Sequence, residues 1–394
     1  MKTERRHVAL FRDDLEGETF LFQKPRDLII AEDPCELLTS LERAERALRD
    51  GCWIAGYISY EAGYLLDPAL TDLLPSRRDC PLLALGVFDA PDTTEQPKAD
   101  IIYPPRLWNA QAIWDLKAYR PRFAQLHQHL RQGDCFQGNL TFPIHARWEG
   151  DPIALFHLLA KTQPVRHSAF IDLHGPTVLS RSPELFFSVS RSGWIETLPM
   201  KGTMSRGSTP EEDAVHREHL RHDPKIQAEN RMIVDLLRND MSRISEAGSV
   251  HVPDLFEVQT YPTLHQMVSR IRAKLRPNTG LTEILQALFP CGSITGAPKI
   301  SAMRILRQLE DEPRGIYCGA IGWAAPDGTM KFNVAIRTMS LFDDGRATFN
   351  VGGGVILDST AKAEYDECLL KAQFIARHCD EGIRYVRSHY PPEV

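Results

Sequence analysis

The sequence predicts an α+β fold. Short runs with the two-residue alternation of strands recur along most of the chain. Among them stand amphipathic helices with identifiable start and stop residues. With 394 residues, 43% of them hydrophobic and 25% charged, the chain is long enough to bury one large core or two.

A net charge of −6 with no basic block gives no electrostatic reason to expect nucleic acid or an anionic membrane as partner. The eight cysteines are scattered, without a C-x-x-C pair. That argues against a structural zinc site or a disulfide framework and for a reducing compartment. The opening MKTERRHVALFRDD turns acidic before any long apolar run, so no secretory signal is expected. No stretch approaches the roughly 18 apolar residues of a spanning helix, and a cytoplasmic location is expected.

Residues 1–88 read as strands at 7–11, 19–22, 53–59 and 82–88 around one helix. The helix follows Asp33-Pro34, carries Leu37, Leu38, Leu41, Ala44, Ala47 and Leu48 at helical spacing, and ends at Gly51. Tyr57, Tyr60 and Tyr64 beside Glu61 read as a packed aromatic cluster. The polar run 89–100 reads as a linker, which divides the chain into an N-terminal segment, 1–100, and a main segment, 101–394.

In the main segment, 108–132 reads as largely helical, with Pro121 marking a helix start or a break. FQGNLTFPIHARW (136–148) is a strand with Gln137, Asn139 and Thr141 on one face. A helix at 153–161 leads to strands at 168–173, 177–180 and 185–189. Glu184 stands at the lip of the last, 17 residues before Lys201, and a hairpin would bring the two together. Lys201 itself falls between Pro199 and Gly202 at a strand-to-turn junction, where a lysine can point into a pocket. There, desolvation or a second cation turns an ammonium into a nucleophilic amine.

Thr209, Pro210 and Glu212 form a capping box, and Asp223-Pro224 opens a long helix, KIQAENRMIVDLLRND. Its expected buried stripe is Met232, Ile233, Leu236 and Leu237, with Glu229 on or beside it. A carboxylate there needs a partner or a metal. Residues 251–272 read as extended, and 281–289 as a helix. CGSITGAPK (291–299) is a glycine loop feeding a helix N-terminus, suited to a carboxylate or phosphate but without Walker spacing. Strands are expected at 319–323, 333–339 and 347–351, with Arg337 inside the second and Gly352, Gly353 and Gly354 interrupting the third. The last helix, AKAEYDECLLKAQFIARH, puts Glu364, Glu367 and Lys371 on one face.

SRSPELF, PMKGTMSRG, AENRMIVDLLRND, GSITGAPK, RGIYCGAIGW, NVAIRTM and GGGVILDSTAKAEYDE occur in the order in which they stand in the chorismate-utilising enzymes. The sequence resembles that family densely over 110–380, and GYISYEAGYLLDP is similar to its leading segment. The resemblance implies two β-sheets packed face to face with helices outside, as in anthranilate synthase component I, and the N-terminal segment in the same globule. Proteins resembling anthranilate synthase carry alanine where this chain has Lys201; lysine there resembles aminodeoxychorismate synthase component I. That branch aminates chorismate on the way to 4-aminobenzoate and folate. The alternative is an anthranilate synthase component I.

Carried over residue by residue, the resemblance makes Lys201 a covalent nucleophile and Glu184 the acid that protonates the departing 4-hydroxyl. It makes Glu229 and Glu367 the Mg²⁺ ligands, with Glu364 beside them. Thr295, Gly296, Tyr317, Arg337, Gly352, Gly353, Gly354 and Lys371 take substrate-binding positions. Gln137 stands where water-activating relatives have lysine, which disfavours water as the nucleophile. Gln266 replaces the histidine usual before L/M-V-S, and His265, one step away on a strand, should point to the opposite face. No glutaminase motif is found, so ammonia is expected from a separate glutamine amidotransferase subunit.

Overall fold

A computed structural model describes residues 5–385 except 96, 98, 100–103 and 262–263. The segment boundary expected at residue 100 lies outside the described residues, and the 89–100 linker is described only in part.

Among the described residues, two ten-stranded sheets face one another with helices on their outer surfaces. The first runs, in spatial order, Thr19–Phe22, Val8–Arg12, His167–Asp172, Thr177–Ser182, Thr338–Leu341, Arg346–Val355, Gln137–Glu149, Arg106–Ala112 and Ile383–Tyr385. The two-residue strand Gly296–Ala297 adds to Gln137–Glu149. The second runs Met200–Ser205, Leu264–Lys274, Trp194–Thr197, Leu185–Val189, Met330–Val334, Ala320–Ala324, Trp53–Ile58, Leu83–Phe88 and Asp27–Ala31, with His251–Thr260 also on Leu264–Lys274. Strands from the first 88 residues therefore lie in both sheets.

Between the sheets, Ala9, Ala55, Ala84, Ala169 and Ala335 alternate with Phe11, Phe22, Tyr57 and Phe88. Small residues opposite rings let the two faces interdigitate. Outside the second sheet pack Glu36–Arg49, Pro224–Ser242 and Leu281–Leu288. Outside the first pack Leu116–Gln132, Pro152–Thr162 and Ala361–Ala376, with Lys299–Leu309 at the junction of the two outer cores. Among the described residues no helix is long and apolar enough to cross a membrane.

Four local expectations are corrected. Arg106–Ala112 is a strand, and the helix starts only at Leu116, because Asp115 accepts from Ala118 N as its cap; Pro121 lies within that helix. The buried side of Pro224–Ser242 uses Val234 and Met241 with Ile233 and Leu237, while Met232 and Leu236 are only half-buried. The strand Arg346–Val355 runs straight through its three glycines. Finally, 333–339 is two strands belonging to different sheets, and Arg337 is not inside either.

That last correction reveals how the layers are joined. The chain steps from one sheet to the other at 183–184 and again at 335–337, and the two steps run side by side. Arg181 N donates to Arg337 O (2.9 Å), Val334 N to Glu184 O (3.1 Å), and Ser182 Oγ to Val334 O (2.6 Å). To make the step, Arg337 adopts φ 50°, a left-handed conformation uncommon for a residue with a side chain.

A buried ion network ties the N-terminal segment to this core. Arg314 N and Gly315 N donate to the Glu61 carboxylate at 2.8 and 3.0 Å. The Arg314 guanidinium grips Glu310 through Nε (2.8 Å) and Nη2 (2.7 Å) over the Tyr60 ring. It also donates to the carbonyls of Ile294 (3.0 Å) and Asn139 (2.7 Å). Removing one partner from such a network leaves a buried charge uncompensated. Arg314→Met is therefore expected to cost about 3–5 kcal/mol in urea denaturation; a loss below about 1 kcal/mol would show that the network is not a structural clamp.

Candidate active site

Lys201 sits on the edge strand Met200–Ser205, not at a turn. Met200 pairs with Val268 and Thr203 with Gln266, so Lys201 and Gly202 together oppose Met267. This is a β-bulge, which re-aims a side chain that regular alternation would place differently. Gly202 has φ 78°, and a Cβ there would lie 2.4 Å from Ile226 Cγ2, so the helix Pro224–Ser242 packs directly on it. Gln266 Nε2 donates to Gly202 O at 3.2 Å. His265 points away, with Nδ1 on Thr260 Oγ1 and Nε2 on Asp213 Oδ1, each at 2.9 Å. The bulge is thus held by Gln266.

The bulge aims Lys201 across the gap between the sheets. A methyl group on Gly354 would lie 3.1 Å from Lys201 Nζ and 3.0 Å from Gln137 Nε2. A side chain at Gly354 would crowd the ends of both, so the glycine keeps this approach open. The Lys201 amine makes no hydrogen bond or ion pair with any described residue. Burial lowers its pKa, opposed by Glu229 and assisted by Lys371. Gln137 is fully buried, and neither atom of its amide has a hydrogen-bond partner among the described residues. Buried amides are normally satisfied, so this one is poised for a molecule that enters the gap.

Glu184 reaches the same gap from the first crossover. It is buried, and Ser293 Oγ donates to its Oε1 at 2.7 Å. Burial pushes its pKa up to about 7, against the opposing pull of Ser293, Lys201, Lys371 and Arg337. The Arg337 guanidinium, on the adjacent crossover, makes no hydrogen bond or ion pair with any described residue. Burial lowers its pKa, and Glu184 partly offsets this. An unpaired guanidinium in a cleft is a ready anchor for a carboxylate.

The acids expected to hold a metal line the other side. The Glu229 carboxylate makes no hydrogen bond or ion pair with any described residue, and burial raises its pKa against Lys201 and Lys225. Glu364 accepts from Ser359 Oγ at 2.6 Å and comes within 3.0 Å of where a Gly353 Cβ would stand. Glu367 pairs with Lys371 at 2.8 Å, and that lysine also donates to Gly352 O at 3.0 Å. Burial opposes the charge of Glu367, but Lys371 prevails and lowers its pKa. Among the described residues, no three His, Cys, Asp or Glu side chains are gathered tightly enough to hold a metal unaided. The donor set fits a hard cation that draws most of its shell from water and substrate, not a caged structural ion.

The remaining expected residues are spread around this gap. Gly296 (φ 143°) lies against Gln137, since a Cβ there would be 2.2 Å from Gln137 O. Thr295 is fully buried with its hydroxyl turned back onto Cys291 O (3.1 Å), so its own loop already occupies it. Tyr317 is buried in the core outside the second sheet. Sequence reasoning missed Ser293, Arg314 and Ser182; their hydroxyls and guanidinium carry no signal until the distant partners are known.

The gap therefore brings together a pKa-lowered lysine, a carboxyl titrating near neutrality and an arginine with no side-chain partner, with the carboxylates of Glu229, Glu364 and Glu367 along its other side. The chain belongs to the chorismate binding enzyme family, whose model matches residues 8–377. Among curated relatives, aminodeoxychorismate synthase component 1 of Klebsiella aerogenes is 42% identical over 257 residues, 65% of this chain and 56% of that protein. The protein of the same name from Escherichia coli K12 is 40% identical over 263 residues, 67% of this chain and 58% of that protein. The chain thus spans little more than half the length of these relatives. Among solved structures, anthranilate synthase component I from Streptococcus pneumoniae superposes with a TM-score of 0.76 at 25% identity, covering 95% of this chain and 93% of that one. The menaquinone-specific isochorismate synthase of Escherichia coli shares the fold, with a TM-score of 0.71 at 16% identity over 95% of this chain and 88% of its own.

Proposed function

We propose that this chain aminates chorismate at C4, with ammonia as the nitrogen source, to give 4-amino-4-deoxychorismate for 4-aminobenzoate and folate synthesis. The observation that carries the reading is Lys201: a desolvated amine aimed between the sheets, opposite a carboxyl that titrates near neutrality. The curated relatives named aminodeoxychorismate synthase component 1 support it. In this reading the neutral amine of Lys201 adds to C2 of the ring as the C4–O bond breaks. Glu184 gives its proton to the departing oxygen, which leaves as water. Ammonia then attacks C4 and expels Lys201 as the free amine. Arg337 orients a substrate carboxylate, and Lys371 holds Glu367 and the Gly352 backbone in place.

Glu229 and Glu367, with Glu364 nearby, would hold Mg²⁺, which would neutralise a substrate carboxylate. Gln137 is an uncharged amide and cannot take a proton from water, which favours amination over hydroxylation at this site. The ring nitrogen position distinguishes this reading from an anthranilate synthase, which would aminate C2.

The decisive assay incubates the purified chain with chorismate, Mg²⁺ and an ammonium salt and identifies the product by mass and chromatography. At any one pH, the rate of capture should follow the concentration of neutral ammonia, not that of total ammonium. Glutamine in place of ammonium should give no product, since a separate amidotransferase subunit is proposed as the natural ammonia donor. Glutamine-dependent turnover by the homogeneous chain would mean that the nitrogen is released within this chain.

A further inference from the structure

We infer that Ser293 is the positioning residue for Glu184, fixing which carboxyl oxygen carries the acid proton. The inference rests on the proposed role of Glu184 as general acid. Ser293 Oγ donates to Glu184 Oε1 at 2.7 Å, and both residues are nearly excluded from solvent, at 6% and 4% exposed. Oε2 makes no hydrogen bond to any described residue, yet it is not sealed in the interior, so it is the oxygen open to the gap. A protonated carboxyl has one O–H. With Oε1 occupied as an acceptor, the proton is confined to Oε2, where a leaving hydroxyl can collect it.

The direction of the Ser293 bond is set from behind. Cys291 Sγ lies 3.2 Å from Ser293 Oγ. Burial first, then the charge of Glu184, pushes that thiol up to about 12, so it stays a thiol and can donate to the serine oxygen. The order Cys291 S–H to Ser293 O–H to Glu184 Oε1 satisfies each group once.

The serine is also firmly mounted. Its loop is closed by Thr295 Oγ1 on Cys291 O (3.1 Å), and Arg314 Nη1 donates to Ile294 O (3.0 Å). Asn139 N donates to Thr295 O (2.9 Å), joining the loop to the first sheet.

When Glu184 releases its proton, the Ser293 bond becomes charge-assisted and shortens the energetic distance to the carboxylate. Ser293 thus opposes burial and keeps the acid's pKa close to the working range. The other groups facing Glu184 are Lys201 from the edge strand, Lys371 from the last helix and Arg337 from the crossover. None of the three makes a hydrogen bond to Glu184, so among the described residues Ser293 is its one side-chain donor in a fixed direction.

The test follows the Glu184 carboxyl directly. Its protonated C=O stretch is assigned in the infrared by its loss in Glu184→Gln, then titrated in the resting protein. Ser293→Ala should move the midpoint up by about one pH unit, while Ser293→Thr should leave it near wild type. In turnover at constant neutral ammonia, Ser293→Ala should lower kcat by about tenfold or more with KM for chorismate little changed. Its alkaline limb should also shift upward. An unchanged midpoint and alkaline limb in Ser293→Ala would reduce the hydroxyl to packing and overturn the inference. Should that variant fail to fold, Ser293→Cys, a weaker donor of similar size, should shift the midpoint part of the way; no shift would overturn it equally. A shifted midpoint in a protein that never turns over chorismate would support the serine's role and reject the proposed function instead.

Discussion

Lys201→Ala should abolish formation of the 4-amino product, lowering its rate by at least about a hundredfold, because the covalent route has no substitute nucleophile. A surface lysine, with a reference pKa of about 10.4, is almost wholly protonated at neutral pH and cannot attack. Lys201 differs because burial disfavours its ammonium, and Lys371 reinforces that. Its neutral fraction therefore grows at lower pH than for an ordinary lysine. Glu184 must be protonated at the same moment, and with a pKa raised to about 7 it loses its proton as pH rises through neutrality. The first step should accordingly show a bell-shaped profile, limited on the acid side by the amine and on the alkaline side by the carboxyl. Wild type mixed with chorismate and Mg²⁺ without ammonia should carry an adduct on the peptide containing Lys201. In Lys201→Ala any residual amination should move to C2, the outcome expected of relatives with alanine at this position. No adduct, together with undiminished 4-amino product from the variant, would leave the lysine a purely electrostatic role.

Loss of the carboxylates opposite the lysine should be as severe. Glu229→Gln and Glu367→Gln each keep side-chain volume but remove a charged oxygen. A site with so few protein ligands should lose about a hundredfold or more in turnover. Excess chelator should silence the wild type, and Mg²⁺ should restore it. Neither variant should unfold. Glu229 has no protein partner to strand, and the pair of Glu367 with Lys371 is open to solvent at 53% and 42% side-chain exposure. Calorimetric titration of Mg²⁺ into each variant gives a readout apart from activity. Wild-type turnover in chelator, or by either variant, would remove the metal from the reaction scheme.

The helix starts at Pro210 and Pro224 were legible in the sequence because each depends on residues within one turn, whereas the start at Leu116 was not read from Asp115. Thr209 accepts from Glu212 N at 3.2 Å while Glu212 reaches back to Ser208 N at 2.7 Å, and Asp223 accepts from Lys225 N and Ile226 N. The ordered motifs carried the family and, through it, the face-to-face sheets. What depended on strand register was not legible. Two residues of Met200–Ser205 oppose one of Leu264–Lys274, and only that mismatch turns Lys201 toward Gln137 and Gly354. The same pairing directs Gln266 to the bulge and His265 to Asp213. Arg337 read as a strand residue because its neighbours are apolar and alternating; nothing local records that the chain changes sheets there. Ser293 meets Glu184 across 109 positions, and Arg314 meets Glu61 across 253. Local propensity reports on the nearest few residues. The acid, its serine and the clamp beneath them exist only once two sheets have closed on each other.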